Sequence, residues 1–370
     1  MKQKLVLFLT ASVLVGSLAG CTGTTVVYQT DCPYHTEVGN VTTNPSTDTS
    51  EEADNETNTD AEENTAMTEG ALKTGLAVVA SVAKSENAVQ ADYDVTQVAV
   101  LVDDAGVIQD CIIDGIATQV TFDGTGAITS DLAAEVQTKN ELGENYGMVA
   151  YGGAIAEWDA QAAALAQFAI GKTVEELKNG AIDETGKAPE GSDLASSATI
   201  YLGGYVAAIE KAVANAKHLG AQAGDELRLA CMNSIDSSTN ATAEAEGVAQ
   251  LDSDVTALTV KDGVITSCYI DSLQAKVSFD QTGAITSDVN AEVQTKNELG
   301  ENYGMVAWGN AIAEWDAQVA AFAEYITGKT AEEVAGIAVN EKTAPTEVDL
   351  ASSVTIAVGG FQALVNKALQ

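Results

Sequence analysis

The chain has 370 residues, and 54 acidic side chains against 17 basic ones leave a formal charge of −37. So acidic a chain repels nucleic acid and anionic lipid headgroups, which argues against both as partners. A single arginine, Arg228, and two histidines, His35 and His218, leave too few residues for arginine phosphate clamps, Ser-His triads or histidine-rich zinc sites. Apolar residues make up 46% of the chain, enough for packed cores, and the length points to two domains. No catalytic residue and no metal ligand is assigned from the sequence, and the chain reads as something other than a hydrolase.

Lys2 and Lys4 precede an apolar run from Leu5 to Val15 that is too short to cross a bilayer, so residues 1–20 have the form of a secretory signal peptide. Leu18-Ala19-Gly20-Cys21 follows and resembles the lipobox of bacterial lipoproteins. The resemblance implies cleavage before Cys21, lipidation at Cys21, and a chain anchored to the bacterial cell membrane and facing outward. Several acyl chains on one residue supply the multiple anchors that stable attachment requires. Residues 21–70 form the anchored linker. From Thr36 to Gly70 it carries no basic residue and few large apolar ones, so it cannot bury enough surface to offset its ordering entropy and reads as an extended acidic tether.

The rest of the chain is an internal duplication offset by about 157 residues. The block Ala134–Ala150 recurs unchanged as Ala291–Ala307, and Thr125–Asp131 recurs as Thr282–Asp288. A period this long indicates duplicated domains, placed at 71–219 and 220–370, rather than a solenoid. Each copy opens with a strand, Leu76–Ala83 or Leu227–Met232. In the first copy a hairpin follows, with Val98, Val100 and Val102 alternating, a turn at Asp103-Asp104-Ala105-Gly106 and a return over Val107–Ile113. In the second copy Lys261-Asp262-Gly263 is a tight hairpin signal. Gln119–Phe122 and Lys276–Phe279 read as further strands, ending in Asp123-Gly124-Thr125-Gly126 and Asp280-Gln281-Thr282-Gly283. These turns lack the terminal glutamate of a calcium loop.

Helices fill the second half of each copy. Ile155, Trp158, Ala162, Leu165 and Ala169, matched by Ile312, Trp315, Val319, Phe322 and Ile326, step along one helical face. Gly171 and Gly328 stop these helices, and Thr173-Val174-Glu175-Glu176 and Thr330-Ala331-Glu332-Glu333 start new ones with capping boxes. Closing helices run over Gly204–Lys217 and Gly360–Leu369. Strands first and helices second give an α+β fold, two tandem domains each with an antiparallel sheet and packed helices. Cys111 and Cys268 occupy equivalent places and, with Cys231, read as separate buried thiols rather than a disulfide framework; no partner is assigned to Cys32.

Two places could carry function. One is the duplicated loop with Lys139, Glu141, Asn145 and Tyr146, matched by Lys296, Glu298, Asn302 and Tyr303, which lies between strand and helix where binding loops are common. The other is Asp193-Leu194-Ala195-Ser196-Ser197-Ala198-Thr199, matched by Asp349-Leu350-Ala351-Ser352-Ser353-Val354-Thr355. This motif resembles the FMN-binding domain family of sodium-pumping quinone reductase subunits and extracellular flavin lipoproteins, whose pattern is Asp-x-x-Ser/Thr-Gly-Ala-Thr. The resemblance implies that a flavin transferase joins FMN to the hydroxyls of Thr199 and Thr355, with Asp193, Ser196, Asp349 and Ser352 in the recognition pattern. The pattern's glycine is Ser197 or Ser353 here, and its alanine is Val354 in the second copy. Read from the residues alone, the same hydroxyls could simply cap the closing helices. Two functions therefore stand: a non-catalytic surface lipoprotein that binds a ligand or partner, and an extracellular electron carrier with covalent FMN.

Overall fold

A three-stranded antiparallel meander opens each repeat. The structure is a computed structural model that describes residues 70–370; the expected signal peptide and acidic tether, with Cys21 and Cys32, lie outside the described residues. In the first repeat β1 (Lys73–Ser81), β2 (Gln90–Val102) and β3 (Ile108–Thr121) form one sheet in the order β1-β2-β3. In the second, β4 (Glu226–Ser234), β5 (Gly247–Lys261) and β6 (Val264–Phe279) repeat the arrangement. The turn between β5 and β6 has Asp262 and Gly263 both at positive φ, 52° and 78°, as a two-residue hairpin with the twist of its strands requires.

The segments Gln119–Phe122 and Lys276–Phe279 are not separate strands. They are the far ends of β3 and β6, which pair residue by residue with β2 and β5 along their whole length, each interrupted by one bulge. Gly115 lies between the two segments read as strands and stays in register opposite Thr96. A side chain there would meet the Val95 carbonyl at 2.9 Å, so the glycine permits close approach rather than ending the strand.

Helices α1 (Lys139–Leu142), α2 (Met148–Gly152), α3 (Trp158–Ala169), α4 (Val174–Ala181) and α5 (Gly203–Ala214) follow the first sheet. After the second come α6 (Lys296–Leu299), α7 (Met305–Gly309), α8 (Trp315–Ile326), α9 (Ala331–Ala335), α10 (Val348–Ala351) and α11 (Gly359–Ala368). The fold is α+β. The capping boxes at Thr173/Glu176 and Thr330/Glu333 are formed, and Thr138/Glu141 and Thr295/Glu298 add two more. Ile155 and Ile312 depart from the expected apolar face: they lie outside α3 and α8 and are 56% and 55% exposed. Both helices start only at the tryptophan, because Glu157 and Glu314 take extended backbone there.

The two sheets face each other, and the helices cover their outer sides, giving four layers. Along β2, Val98, Val100 and Val102 point to the helices of their own repeat, while Tyr93, Val95, Ala99 and Leu101 point into a core shared with the second sheet. Both faces of β2 are thus buried, and residues 98–102 are apolar and buried without a break. Leu251, Val255, Leu273 and Val277 enter the shared core from the other side. At its edge the rings of Phe122 and Phe279, equivalent residues, stack at 4.1 Å and 3°.

The contacts between repeats come in reciprocal pairs. Ile128 N–H donates to Asn240 Oδ1 and Ile285 N–H to Asn87 Oδ1. Lys367 pairs with Glu141, and Lys211 with Glu298. The repeats thus form a pseudo-two-fold dimer within one chain, and each closing helix braces the α1 or α6 turn of the other repeat. Cys111, Cys231 and Cys268 are free and buried in three different cores, and burial pushes their thiols up to about 12, 11 and 12. They are packing residues, not reactive thiols. Among the described residues no helix is long and apolar enough to cross a membrane.

Candidate functional site

In the first repeat a 3-10 turn over Leu194–Ser196 leads to Ala198, which is buried in the helix core; the exposed Thr199 follows, and α5 starts four residues later. The second repeat has α10, the buried Val354 and the exposed Thr355 in the same order. The apolar residue before each threonine anchors the loop and leaves the threonine exposed.

What positions each hydroxyl is a fully buried glutamine on the neighbouring helix. Gln161 Oε1, on α3, accepts from Thr199 N–H at 2.8 Å, Thr199 Oγ1–H at 3.3 Å and Ile200 N–H at 3.2 Å. Its Nε2 donates to the Ala156 carbonyl at 2.8 Å. Gln318, on α8, is likewise buried, accepting from Thr355 N–H at 2.8 Å and Oγ1–H at 3.0 Å and donating to the Ala313 carbonyl at 2.8 Å. Backbone donors on one side and a backbone acceptor on the other leave only one amide orientation that satisfies every group. Neither glutamine was singled out in the sequence. The only available signal was that Gln161 and Gln318 sit three residues after equivalent tryptophans, on a face otherwise apolar.

The motif does not cap the closing helices. The N-caps of α5 and α11 are Leu202 and Val358, neither with a side-chain hydrogen bond. Ser196 Oγ donates instead to the Asp193 carbonyl at 2.6 Å, and Ser352 Oγ to the Asp349 carbonyl at 2.8 Å. The Asp193 and Asp349 side chains are exposed and make no hydrogen bond or ion pair with the described residues. Ser197, at the pattern's glycine position, has φ −119° and ψ −21°, a conformation open to any residue, and its side chain faces solvent. The backbone therefore has no need of a glycine there.

The two copies differ beside the threonine. Lys187 places its ammonium 4.7 Å from the centre of the Tyr201 ring, two residues after Thr199. The equivalent residues of the second repeat are Ala344 and Ala357. Only the first repeat has a cation and an aromatic ring at this edge.

A second duplicated surface is formed by the exposed tips of α2 and α7. Tyr151 on α2 and Trp308 on α7 are 93% and 87% exposed. Each ring lies over a glycine, where a Cβ on Gly147 would come within 2.6 Å of Tyr151 and one on Gly304 within 2.4 Å of Trp308. Glu157 accepts from the Met148 and Val149 N–H groups at 2.8 and 3.0 Å, and Glu314 does the same for Met305 and Val306, fixing both short helices.

The polar residues of the duplicated loop have internal tasks. Lys139 is buried, 3.4 Å from Asp94 and 4.9 Å from the centre of the Trp158 ring. Glu141 caps its own helix and pairs with Lys367, while Asn145 and Asn302 are exposed. Asp123 and Asp280 turn an oxygen onto the N–H and hydroxyl groups of their own turns, and the Thr125 and Thr282 hydroxyls lead in holding their pKa values below the usual carboxylate range. Among the described residues no cluster of three or more His, Cys, Asp or Glu is placed to hold a metal ion. Compared with models of known families, with curated proteins and with solved structures, the chain has no match.

Proposed function

We propose that this chain is an outward-facing lipoprotein anchored through Cys21 and an extracellular electron carrier with FMN joined covalently to Thr199, and less readily to Thr355. The observation that carries the reading is the pair of exposed threonine hydroxyls, each tied to a buried glutamine, in a loop whose side chains are not used to cap the next helix. The residues fit a phosphoester. Thr199 is exposed, Ser197 takes its conformation without a glycine, and Lys187, against the Tyr201 ring two residues on, is a cation that can offset phosphate charge in a strongly acidic chain.

Attachment requires an activated donor, for which a flavin dinucleotide is the fitting class. The P–O bond to Thr199 Oγ1 forms as the phosphoanhydride breaks, the other mononucleotide leaves, and the hydroxyl proton passes to a base of the transferase. Bound FMN supplies the redox chemistry, and the protein supplies its position. Thr199 is favoured over Thr355 because Lys187 and Tyr201 have no counterparts in the second repeat and because Val354 replaces the pattern's alanine. Co-expression with a flavin transferase should add one FMN mass to the tryptic peptide containing Thr199, and Thr199→Ala should abolish it. An unmodified Thr199 peptide would exclude the carrier role of the first repeat.

A non-catalytic binding role is the second reading, and Tyr151 and Trp308 favour it. The two repeats keep an exposed aromatic ring over a glycine at equivalent positions although the residue itself has changed. Loss of ligand or partner binding on Tyr151→Ala/Trp308→Ala, in a chain free of flavin, would select that reading.

A further inference from the structure

We infer that Gln161 and Gln318 are positioning residues for a phosphoryl acceptor, orienting the hydroxyls of Thr199 and Thr355 so that their free lone pairs face an incoming donor. The inference rests on the flavin reading and names the part of the site that prepares the acceptor.

An exposed threonine hydroxyl ordinarily rotates among its staggered positions and donates to water. Here the proton has a fixed destination. Gln161 Oε1 takes the Thr199 Oγ1–H at 3.3 Å while the Thr199 and Ile200 N–H groups fix the same oxygen, and Nε2 is committed to the Ala156 carbonyl. The amide cannot turn over without setting two N–H donors against an NH2 group and two carbonyl oxygens against each other. With the proton directed inward, the remaining lone pairs of Oγ1 point away from the buried amide, on a residue that is itself exposed to an incoming phosphoryl donor. Gln318 holds Thr355 by a smaller network, through Thr355 N–H and Oγ1–H but not Ile356 N–H, with 3.0 Å from Oγ1 to Oε1. A neutral amide cannot remove the proton, so general-base work falls to the transferase, and the glutamine contributes orientation.

Each glutamine is also the link between its helix and the loop, so a purely structural role has to be separated from positioning. Full-length protein is treated with purified flavin transferase and flavin dinucleotide, and the FMN ester at each threonine is measured by peptide mass against wild type at the same pH. Gln161→Leu should lower the ester at Thr199 on the order of tenfold or more, with the circular dichroism of the fold and Thr355 loading unchanged, even though the lost hydrogen bonds lower the thermal midpoint. Gln161→Glu tests the polarity. As a neutral acid its carbonyl accepts from Thr199 and its O–H donates to Ala156, whereas as a carboxylate it repels the Ala156 carbonyl. Its loading relative to wild type should therefore recover at pH 6 and fall at pH 8. Wild-type loading of Gln161→Leu would overturn the inference and leave the flavin reading standing. No ester on wild type at either threonine would overturn both. Should Gln161→Leu fail to fold, a Gln161→Glu loading that is independent of pH would overturn the inference.

Discussion

Asp271 sits on β6 with its carboxyl buried, and burial raises its pKa to about 6 against the hydrogen bonds from Thr295, Asn297 and Ser272. The folded chain then binds more protons here than the unfolded chain, whose aspartates titrate near 3.9. Stability conferred by this group is therefore greatest below about pH 4, falls as pH rises to about 6, and is level above. The span is on the order of 2–3 kcal/mol. Asp271→Asn keeps the acceptor for the two backbone N–H groups, and in urea titrations it should remove this slope and leave the variant more stable than wild type at pH 7.5. A slope unchanged in the variant would place the titration elsewhere. None of this is readable from the sequence, where Asp271 is one acid among many; burial decides its behaviour. Thr199 could be singled out in the sequence, because Asp193, Ser196 and Ala198 precede it in the order of the family pattern. Gln161 was not, since a glutamine on an amphipathic helix is ordinarily solvated and its role depends on a loop 38 residues later reaching it.

At the level of elements, capping boxes and the Asp262-Gly263 turn were readable because their chemistry is local: the side chain and the N–H it serves lie within three residues. The length of β3 was not: its two ends read as separate strands, and only the neighbouring Val95 carbonyl shows why the glycine between them, Gly115, belongs to the ladder. Nor was the start of α3, since the spacing of Ile155 and Trp158 suits one helical face. What breaks that helix is Glu157, whose carboxylate reaches back to the N-terminus of α2. Glu157→Ala should therefore loosen the Tyr151 tip while leaving the sheets intact. Amide exchange at Met148 and Val149 should speed up by at least tenfold, about 1.4 kcal/mol or more of local protection, within the range for a charge-assisted hydrogen bond. Unchanged protection there would mean that the tip is held by something other than this carboxylate.

Across the whole molecule the duplication was plain in the sequence, and the shared core was not. The residues that fill it lie on strands buried on both faces, which blurs the alternation that marks a half-exposed sheet. Phe122 and Phe279 meet at the seam, and Phe279→Ala should cost about 3–5 kcal/mol, because it removes a fully buried ring and its stacking partner's contact. A loss under 1 kcal/mol would mean that the seam contributes little. Expressed alone, residues 70–219 would expose the face that the second sheet covers, and they should dimerise by the reciprocal contacts or aggregate. A monodisperse soluble monomer in analytical ultracentrifugation would show that each repeat is self-sufficient. Upstream, Cys21→Ser should release the chain from the membrane fraction if that residue carries the acyl chains.

The surface function turns on whether the outward-facing threonine of the first repeat is an acceptor. Mass spectrometry of the mature protein, co-expressed with a flavin transferase and digested with trypsin, reads this directly. The account predicts one FMN mass on the Thr199 peptide, a smaller fraction or none on the Thr355 peptide, and no such mass after Thr199→Ala. Unmodified peptides at both threonines, in wild type and in Ser197→Gly alike, would contradict it.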